Sequence, residues 1–327
     1  MTWKRDNPGC SPCCSDADSG CACYPLDSSG ANSSGSVTLA NKDGGPGWDT
    51  TNKKLGTGAS EYSYGKGYLE AADNSCFSPS ANTSGWAMSF WIKAITNLTG
   101  TTCPTAGSTA FTYWETYPGV VTKGYATQAN APSGGGTPSH CPSISNGVQL
   151  GEWFILMHKP NMIIGGGATT PISMQAWVNT NTVAFSDFSM QFVGAKNIDT
   201  DVSLAGAHAN EWNFVYWYIR GNHSWFHVRG ETETAWAQFY ENINSRGGIK
   251  NDSWPLRVGT MITSTGGELR LGTKGGGSYR IDNLLFDDNP TTYGSTSVPV
   301  TSPATIPVEA TALYNSGSGE QCPNAGR

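Results

Sequence analysis

Charge is scarce in this chain. Of its 327 residues only 13% are charged, and the balance is acidic, with a formal net charge of −6. Phosphate backbones are gripped by clustered Lys and Arg; 19 basic against 25 acidic residues argue against nucleic acid as a partner. Long apolar runs are missing too. None approaches the ~20 residues a helix needs to cross a bilayer, so no membrane insertion is expected. Helical periodicity is almost absent. The one stretch that carries it is "ETETAWAQFYENIN" (231–244), where Trp236, Phe239 and Tyr240 predict one short helix, with an extended loop as the alternative. The opening "MTWKRDNPGCSPCC" has no apolar core after its basic pair, a pattern that predicts no secretory signal and assembly in a cytoplasm.

What the chain does have is aromatic residues and turn formers. It carries 12 Trp, 13 Tyr and 11 Phe beside 41 Gly. Large aromatics favour pleated sheets, and Gly, Asn, Ser and Pro clusters favour the turns between strands. From about residue 36 to 290 the chain reads as strands broken by such clusters. "WAMSFWIKAI" (86–95) puts Trp86, Met88 and Phe90 on one face and Ala87, Ser89 and Trp91 on the other. "ISMQAWV" (172–178), "FSMQFVG" (188–194), "WNFVYWYIRG" (212–221) and "SWFHVRG" (224–230) show similar aromatic-rich alternation.

Three regions differ in composition. Residues 1–35 form a Cys-rich arm holding five of the nine cysteines and few aliphatic residues. Residues 36–290 form the strand-rich body, with long insertions at about 96–150 and 231–265. Residues 291–327 are rich in Ser, Thr, Pro and Val, and their proline spacing predicts an extended tail rather than a packed element.

Four pieces follow one another through the body: "GYLEAADNSCFSPS" (67–80), "WAMSFWIKA" (86–94), "NEWNFVYWYIRGNHSWFHVRG" (210–230) and "LRLGTKGGGSYRIDNLLFDD" (269–288). This series resembles the laminin-G/pentraxin-like branch of the concanavalin A-like sandwiches. There a Phe-Trp-x-Lys strand is followed by a Trp-initiated strand, a Leu-x-Leu-Gly strand and a closing Ile-Asp-x-Leu-x-Phe/Tyr strand. The resemblance implies an all-β, antiparallel jelly-roll sandwich, to which the composition of the two ends adds extended N- and C-terminal arms. Residue chemistry agrees: Gly275–Gly277 offer a tight connection, and Tyr279, Ile281 and Asn283 alternate against Arg280, Asp282 and Leu284 as in a strand.

The resemblance also raises two chemistries. Retaining glycosidases in the superfamily present paired carboxylates about 5 Å apart, as Glu-x-Asp-x-(x)-Glu on one strand. No such pattern occurs here. Glu231 and Glu233 read as a solvated turn, and Asp282, Asp287 and Asp288 as structural acids, so the protein is expected not to be an enzyme. Domains of this branch also hold calcium at a sheet rim, and Ca²⁺ takes six to eight oxygens. Asp199 and Asp201 in "NIDTDVS" are the candidate ligands, against the plainer reading of Asx-turns.

Five cysteines crowd into 14 residues as Cys10-x₂-Cys13-Cys14-x₆-Cys21-x-Cys23. Cys10, Cys13, Cys21 and Cys23 are candidate zinc ligands, since four thiolates satisfy tetrahedral zinc. The alternative is a disulfide framework that could enlist Cys322. Cys103 and Cys141 bracket an insertion and could clasp it. The five histidines show no metal spacing. Trp153, Trp177, Trp225, Trp236 and Trp254 are candidates for stacking on sugar rings, each against a plainer role in packing.

A low-charge β chain with two arms and no evident leader suggests a non-enzymatic virion structural protein, most naturally of a bacteriophage. It would be a capsid decoration, spike or fibre-associated protein, assembled in the host cytoplasm. Its laminin-G-like module would serve adhesion, with other virion proteins or copies of itself as partners and a glycan as ligand. The alternative is a cellular or secreted carbohydrate-binding protein at the cell surface.

Overall fold

The computed structural model describes residues 21–31, 37–63, 66–79, 85–94, 119–126, 149–158, 172–179, 190–199, 211–243, 249–263, 268–270 and 278–288, with Thr311 and Tyr314. In chain order the strands are β1 (Ala22–Tyr24), β2 (Ala40–Lys42), β3 (Gly47–Asp49), β4 (Ala59–Ser63), β5 (Tyr68–Ala71), β6 (Trp86–Ala94), β7 (Gly119–Ala126), β8 (Gln149–His158) and β9 (Ile172–Asn179). They continue with β10 (Met190–Asp199), β11 (Trp212–Arg220), β12 (His223–Gly230), β13 (Ala237–Asn242), β14 (Leu256–Val258), β15 (Thr260–Thr263), β16 (Glu268–Arg270) and β17 (Ser278–Asp287).

These strands form two sheets. The front sheet runs β13-β12-β11-β6-β17-β4-β3, with β1 also paired to β17. The back sheet runs β10-β9-β8-β7-β14-β5-β2, with β15 and β16 attached beside β7. Among the described residues every ladder is antiparallel except a two-residue parallel step between β15 and β7. This is the expected all-β jelly-roll sandwich, in which the last long strand, β17, lies centrally between β6 and β4.

The core forms because alternation turns one apolar face of each sheet inward. Trp86 and Trp217 of the front sheet meet Trp153 of the back sheet, with ring centroids 5.6–5.9 Å apart. Each indole N–H needs a partner when buried. Trp86 donates to the Cys76 carbonyl at 2.9 Å, Trp153 to the Phe77 carbonyl at 2.8 Å, and Trp217 to Ser224 Oγ at 2.8 Å. The 3₁₀ turn Ser75–Phe77 thus anchors two of the three rings. At roughly 200 Å² per ring and about 25 cal/mol per Å², each contributes at most ~5 kcal/mol. At the other end Tyr62 stacks on Tyr279 at 5.1 Å. The space for Tyr62 exists because Gly259 has no side chain: a Cβ there would sit 2.0 Å from the ring, at φ +93°.

Four expectations need correction. The region expected to be a helix at 231–244 contains β13, which pairs with β12 from His223↔Asn242 to Val228↔Ala237. Packing does not wait for residue 36: β1 pairs with β17 through Ala22↔Phe286 and Tyr24↔Leu284, and both Ala22 and Tyr24 are buried. The insertions carry structural strands, β7 within 96–150 and β14 within 231–265. In β17 the alternation breaks at Asn283, which sits at φ +58° and donates its N–H to the Pro25 carbonyl. The resulting bulge turns Leu284 and Phe286 inward with Tyr279 and Ile281, and sends Leu285 to the outer face. Gly275–Gly277 lie outside the described residues.

Candidate functional site: the outer face of the front sheet

"WNFVYWYIRG" is bulky at nearly every position because β11 is covered on both faces. Val215, Trp217 and Ile219 point into the core, while Trp212, Phe214, Tyr216 and Tyr218 belong to a second cluster on the outer face. Register extends that cluster sideways. Tyr218 opposes Trp225 of β12, which opposes Tyr240 of β13. Tyr216 opposes His227, which opposes Gln238. Phe214 opposes Trp91 of β6, which opposes Asp282 of β17. Opposed side chains stand about 5 Å apart, so these rows touch.

The rows are aromatic, yet polar atoms sit within them. His227 is fully buried, with Tyr216 near-parallel at 6.5 Å and Trp236 edge-on at 6.4 Å. Neither of its ring nitrogens has a hydrogen-bond partner among the described residues, and the same holds for the neighbouring Gln238 Oε1. Burial pushes the His227 pKa down to about 4, so the ring is neutral at physiological pH. Beside it the cover thins: Trp236, Gln238 and Tyr240 are half-buried along the edge strand. Trp236, just before β13, and Tyr240 within it are four residues apart, roughly 13 Å along extended chain. Tyr240 stacks on His223 at 5.8 Å and shares a 2.7 Å hydrogen bond with its Nδ1.

Charges frame one end of this face. Lys54 Nζ lies 4.5 Å from the centre of the Trp91 ring and 3.0 Å from Glu231. Glu233 pairs with Lys196 and accepts the Gly230 N–H at 2.7 Å. Glu211 accepts the Thr232 hydroxyl. Glu231 and Glu233, expected as a solvated turn, are therefore part of a paired network. Asp282 is fully buried beneath it, where its Oδ2 accepts the N–H groups of Lys54 and Leu55 at 2.7 and 2.9 Å. Burial raises the Asp282 pKa to about 7, although both hydrogen bonds favour the charged form.

Tyr314 completes the face. This residue of the expected extended tail is 5% exposed and packed against Trp91, Trp236 and Phe214. A proline-rich stretch with two tyrosines, Tyr293 and Tyr314, gave no hint of that docking.

The other candidates separate clearly. Trp153 is core, Trp225 is buried on the outer face, and only Trp177, Trp236 and Trp254 are half-buried. Trp177 Nε1 donates to Gln175 and Trp254 Nε1 to Asp252. Cys21 forms a disulfide with Cys76 rather than serving as a thiolate, and Cys23 is also disulfide-bonded. A zinc set of Cys10, Cys13, Cys21 and Cys23 therefore loses two of its four ligands to oxidation. Cys10, Cys13 and Asp201 lie outside the described residues; Asp199 ends β10, opposite Ile172. Among the described residues no three His, Cys, Asp or Glu side chains gather to hold a metal ion. The residues missed in the sequence are His227 and Gln238. Their signal was the alternation of Trp236, Gln238 and Tyr240 against Ala237, Phe239 and Glu241.

No protein-family model matches the chain, and no curated protein sequence does either. Solved structures with a similar arrangement include the binding domain of botulinum neurotoxin serotype D, at 11% identity and a TM-score of 0.47. That match covers 85% of this chain but only 49% of the toxin chain. A carbohydrate esterase from the Shiga toxin-encoding bacteriophage phi24B matches at 12% identity and TM-score 0.36, over 77% of this chain and 90% of its own. The Ca²⁺/Man₂-bound exoplasmic/lumenal domain of VIP36 matches at 10% and 0.37, over 86% and 90%. The fold assignment rests on the two sheets themselves.

Proposed function

We propose that this chain is a non-enzymatic glycan-binding adhesion module, displayed on an extracellular surface, in the first instance that of a virion. One observation carries the binding reading. The fully buried His227, with both ring nitrogens unpartnered among the described residues, stands beside the unpartnered Gln238 Oε1 and the half-buried rings of Trp236 and Tyr240. Buried polar atoms without partners cost free energy and call for an explanation. Sugars bring one, because a pyranose offers hydroxyls to polar atoms and an apolar face to aromatic rings.

The Cys21–Cys76 disulfide supports an oxidising surroundings for the mature protein. A virion decoration, spike or fibre-associated protein that oxidises after release meets that condition. So does a secreted or cell-surface carbohydrate-binding protein, which the disulfide keeps as the second reading. Partners in the first case are other virion proteins or further copies of this chain.

The test is titration calorimetry with neutral gluco- and manno-oligosaccharides, run on the wild-type chain and on Trp236→Ala and Tyr240→Ala. We expect saturable binding that weakens at least tenfold in each variant. Binding that survives both substitutions unchanged would place the site elsewhere. Co-purification with particles, scored by immunogold labelling of their surface, separates the virion reading from the secreted one.

A further inference from the structure

One aromatic ring on the outer face arrives from far along the chain. Tyr314 lies 5.4 Å from Trp91, 5.5 Å from Trp236 and 6.2 Å from Phe214, measured between ring centroids. The guanidinium of Arg229 stands 4.3 Å over its face. Its hydroxyl donates to the Gly230 carbonyl at 3.1 Å. The four side chains thus form a box that holds a flat, six-membered, hydroxyl-bearing ring.

Trp236 belongs both to this box and to the half-buried strip. It touches Tyr314 on one side and His227 on the other. Box and strip are therefore continuous through Trp236. The surrounding charges balance: Arg229, Lys54 and Lys196 face Glu211, Glu231 and Glu233, and Lys54 and Lys196 are each paired with a glutamate. Nothing in that set favours an anionic sugar, so the ligand class is neutral. The ring that fills the box is separated from the end of β17 by residues 288–313, which include Pro290, Pro299, Pro303 and Pro307.

We propose that the Trp91–Phe214–Trp236–Arg229 box is a second sugar-ring subsite, filled by Tyr314 in the free chain and vacated when a neutral oligosaccharide extends into it from the Trp236–Tyr240 strip. This rests on the glycan-binding reading above. A short glycan occupies the strip alone and leaves Tyr314 in place. A longer one competes with Tyr314, and its apparent affinity is reduced by the fraction of time the box is closed.

The experiment uses the full chain and neutral gluco- and manno-oligosaccharides of two and six units. If the box is closed about nine-tenths of the time, Tyr314→Ala tightens hexasaccharide binding about tenfold and leaves disaccharide binding unchanged. Tyr314→Phe, which keeps the ring, stays near wild type. A second measurement needs no destabilised variant: 3-fluorotyrosine at position 314 reports its surroundings by ¹⁹F NMR. Its resonance should move to a solvent-exposed position with saturating hexasaccharide and stay put with disaccharide. Unchanged hexasaccharide affinity in Tyr314→Ala, or an unmoved resonance at saturation, overturns the subsite. Loss of binding in Trp236→Ala would then leave the strip reading standing. Absence of binding by the wild-type chain and every variant would remove both.

Discussion

Cys21 is bonded to Cys76, and this bond ties the start of β1 to the turn whose carbonyls hold Trp86 and Trp153. The two cysteines are 55 residues apart in sequence. Cross-linking a loop of that size removes about 4 kcal/mol of unfolded-state entropy at 25 °C. Cys21→Ser with Cys76→Ser is expected to lower unfolding free energy by roughly 2–4 kcal/mol in urea titrations. A reductant should lower the melting temperature of the wild type more than that of the double variant. Equal sensitivity of both would mean that this disulfide contributes little.

A second lock is electrostatic. Lys123 is fully buried in β7 and pairs with Glu152 and with Asp73, the latter at 2.7 Å, while also donating to the Asp252 carbonyl at 2.8 Å. Burial raises the Glu152 pKa above its usual range, against the pull of Lys123, the Asp252 N–H and the Ser78 hydroxyl. Removing one partner strands a buried charge, which typically costs about 3–5 kcal/mol. Lys123→Met alone should therefore destabilise by that amount. Lys123→Met with Glu152→Leu should recover most of it, because two apolar side chains leave nothing to solvate. A double variant no more stable than the single one would show that packing, not charge, decides this site.

The sandwich and its closing strand were legible in the sequence because period-two alternation is local. In β6, Trp86, Met88 and Phe90 do share the core face. The outer face of the front sheet was less legible, for physical reasons that differ by element. Trp236, Phe239 and Tyr240 fall at spacing that fits a helix, and the polar Gln238 between them hides the alternation of an edge strand. The bulge at Asn283 depends on a hydrogen bond to Pro25, more than 250 residues earlier, which no local pattern reveals. The pairing of Cys21 with Cys76 and the docking of Tyr314 are tertiary choices of the same kind. Two-sided burial of β11, by contrast, was written in its unbroken run of bulky residues.

The core should respond as a packed aromatic contact between sheets. Trp217 lies 5.9 Å from both Trp86 and Trp153, so Trp217→Ala leaves a cavity touching both layers. Losses of about 3–5 kcal/mol are typical for such truncations. Trp217→Phe should cost less, since it keeps a ring but leaves Ser224 Oγ without its indole donor. Chemical denaturation of the two variants checks the order. Equal losses would assign the cost to the hydrogen bond rather than to volume.

His227 and Asp282 give the protein opposing responses to acid. His227, held near pKa 4 by burial, stays neutral in the folded chain while an unfolded histidine takes a proton near 6.5. Its contribution is complete above pH 6.5 and is lost as pH falls towards 4, by up to about 3 kcal/mol. Asp282, raised to about 7 by burial, remains protonated when folded while an unfolded aspartate ionises near 3.8. Its contribution is complete below pH 3.8 and is lost as pH rises towards 7, by up to about 4 kcal/mol. Between pH 4 and 6.5 the two slopes have opposite sign and nearly cancel. Asp49, whose carboxyl is held far below the usual range by its hydrogen bonds to Asn52, Arg280 and Thr51 despite partial desolvation, acts only in stronger acid. Relative to wild type, His227→Phe should therefore lose stability as pH rises from 4.5 to 6.5, and Asp282→Asn should gain it. Each difference should approach 2–3 kcal/mol in urea midpoints taken at the two pH values. If both variants track the wild type across that window, neither group titrates as its burial requires, and His227 would have to be charged or solvated in the folded chain instead.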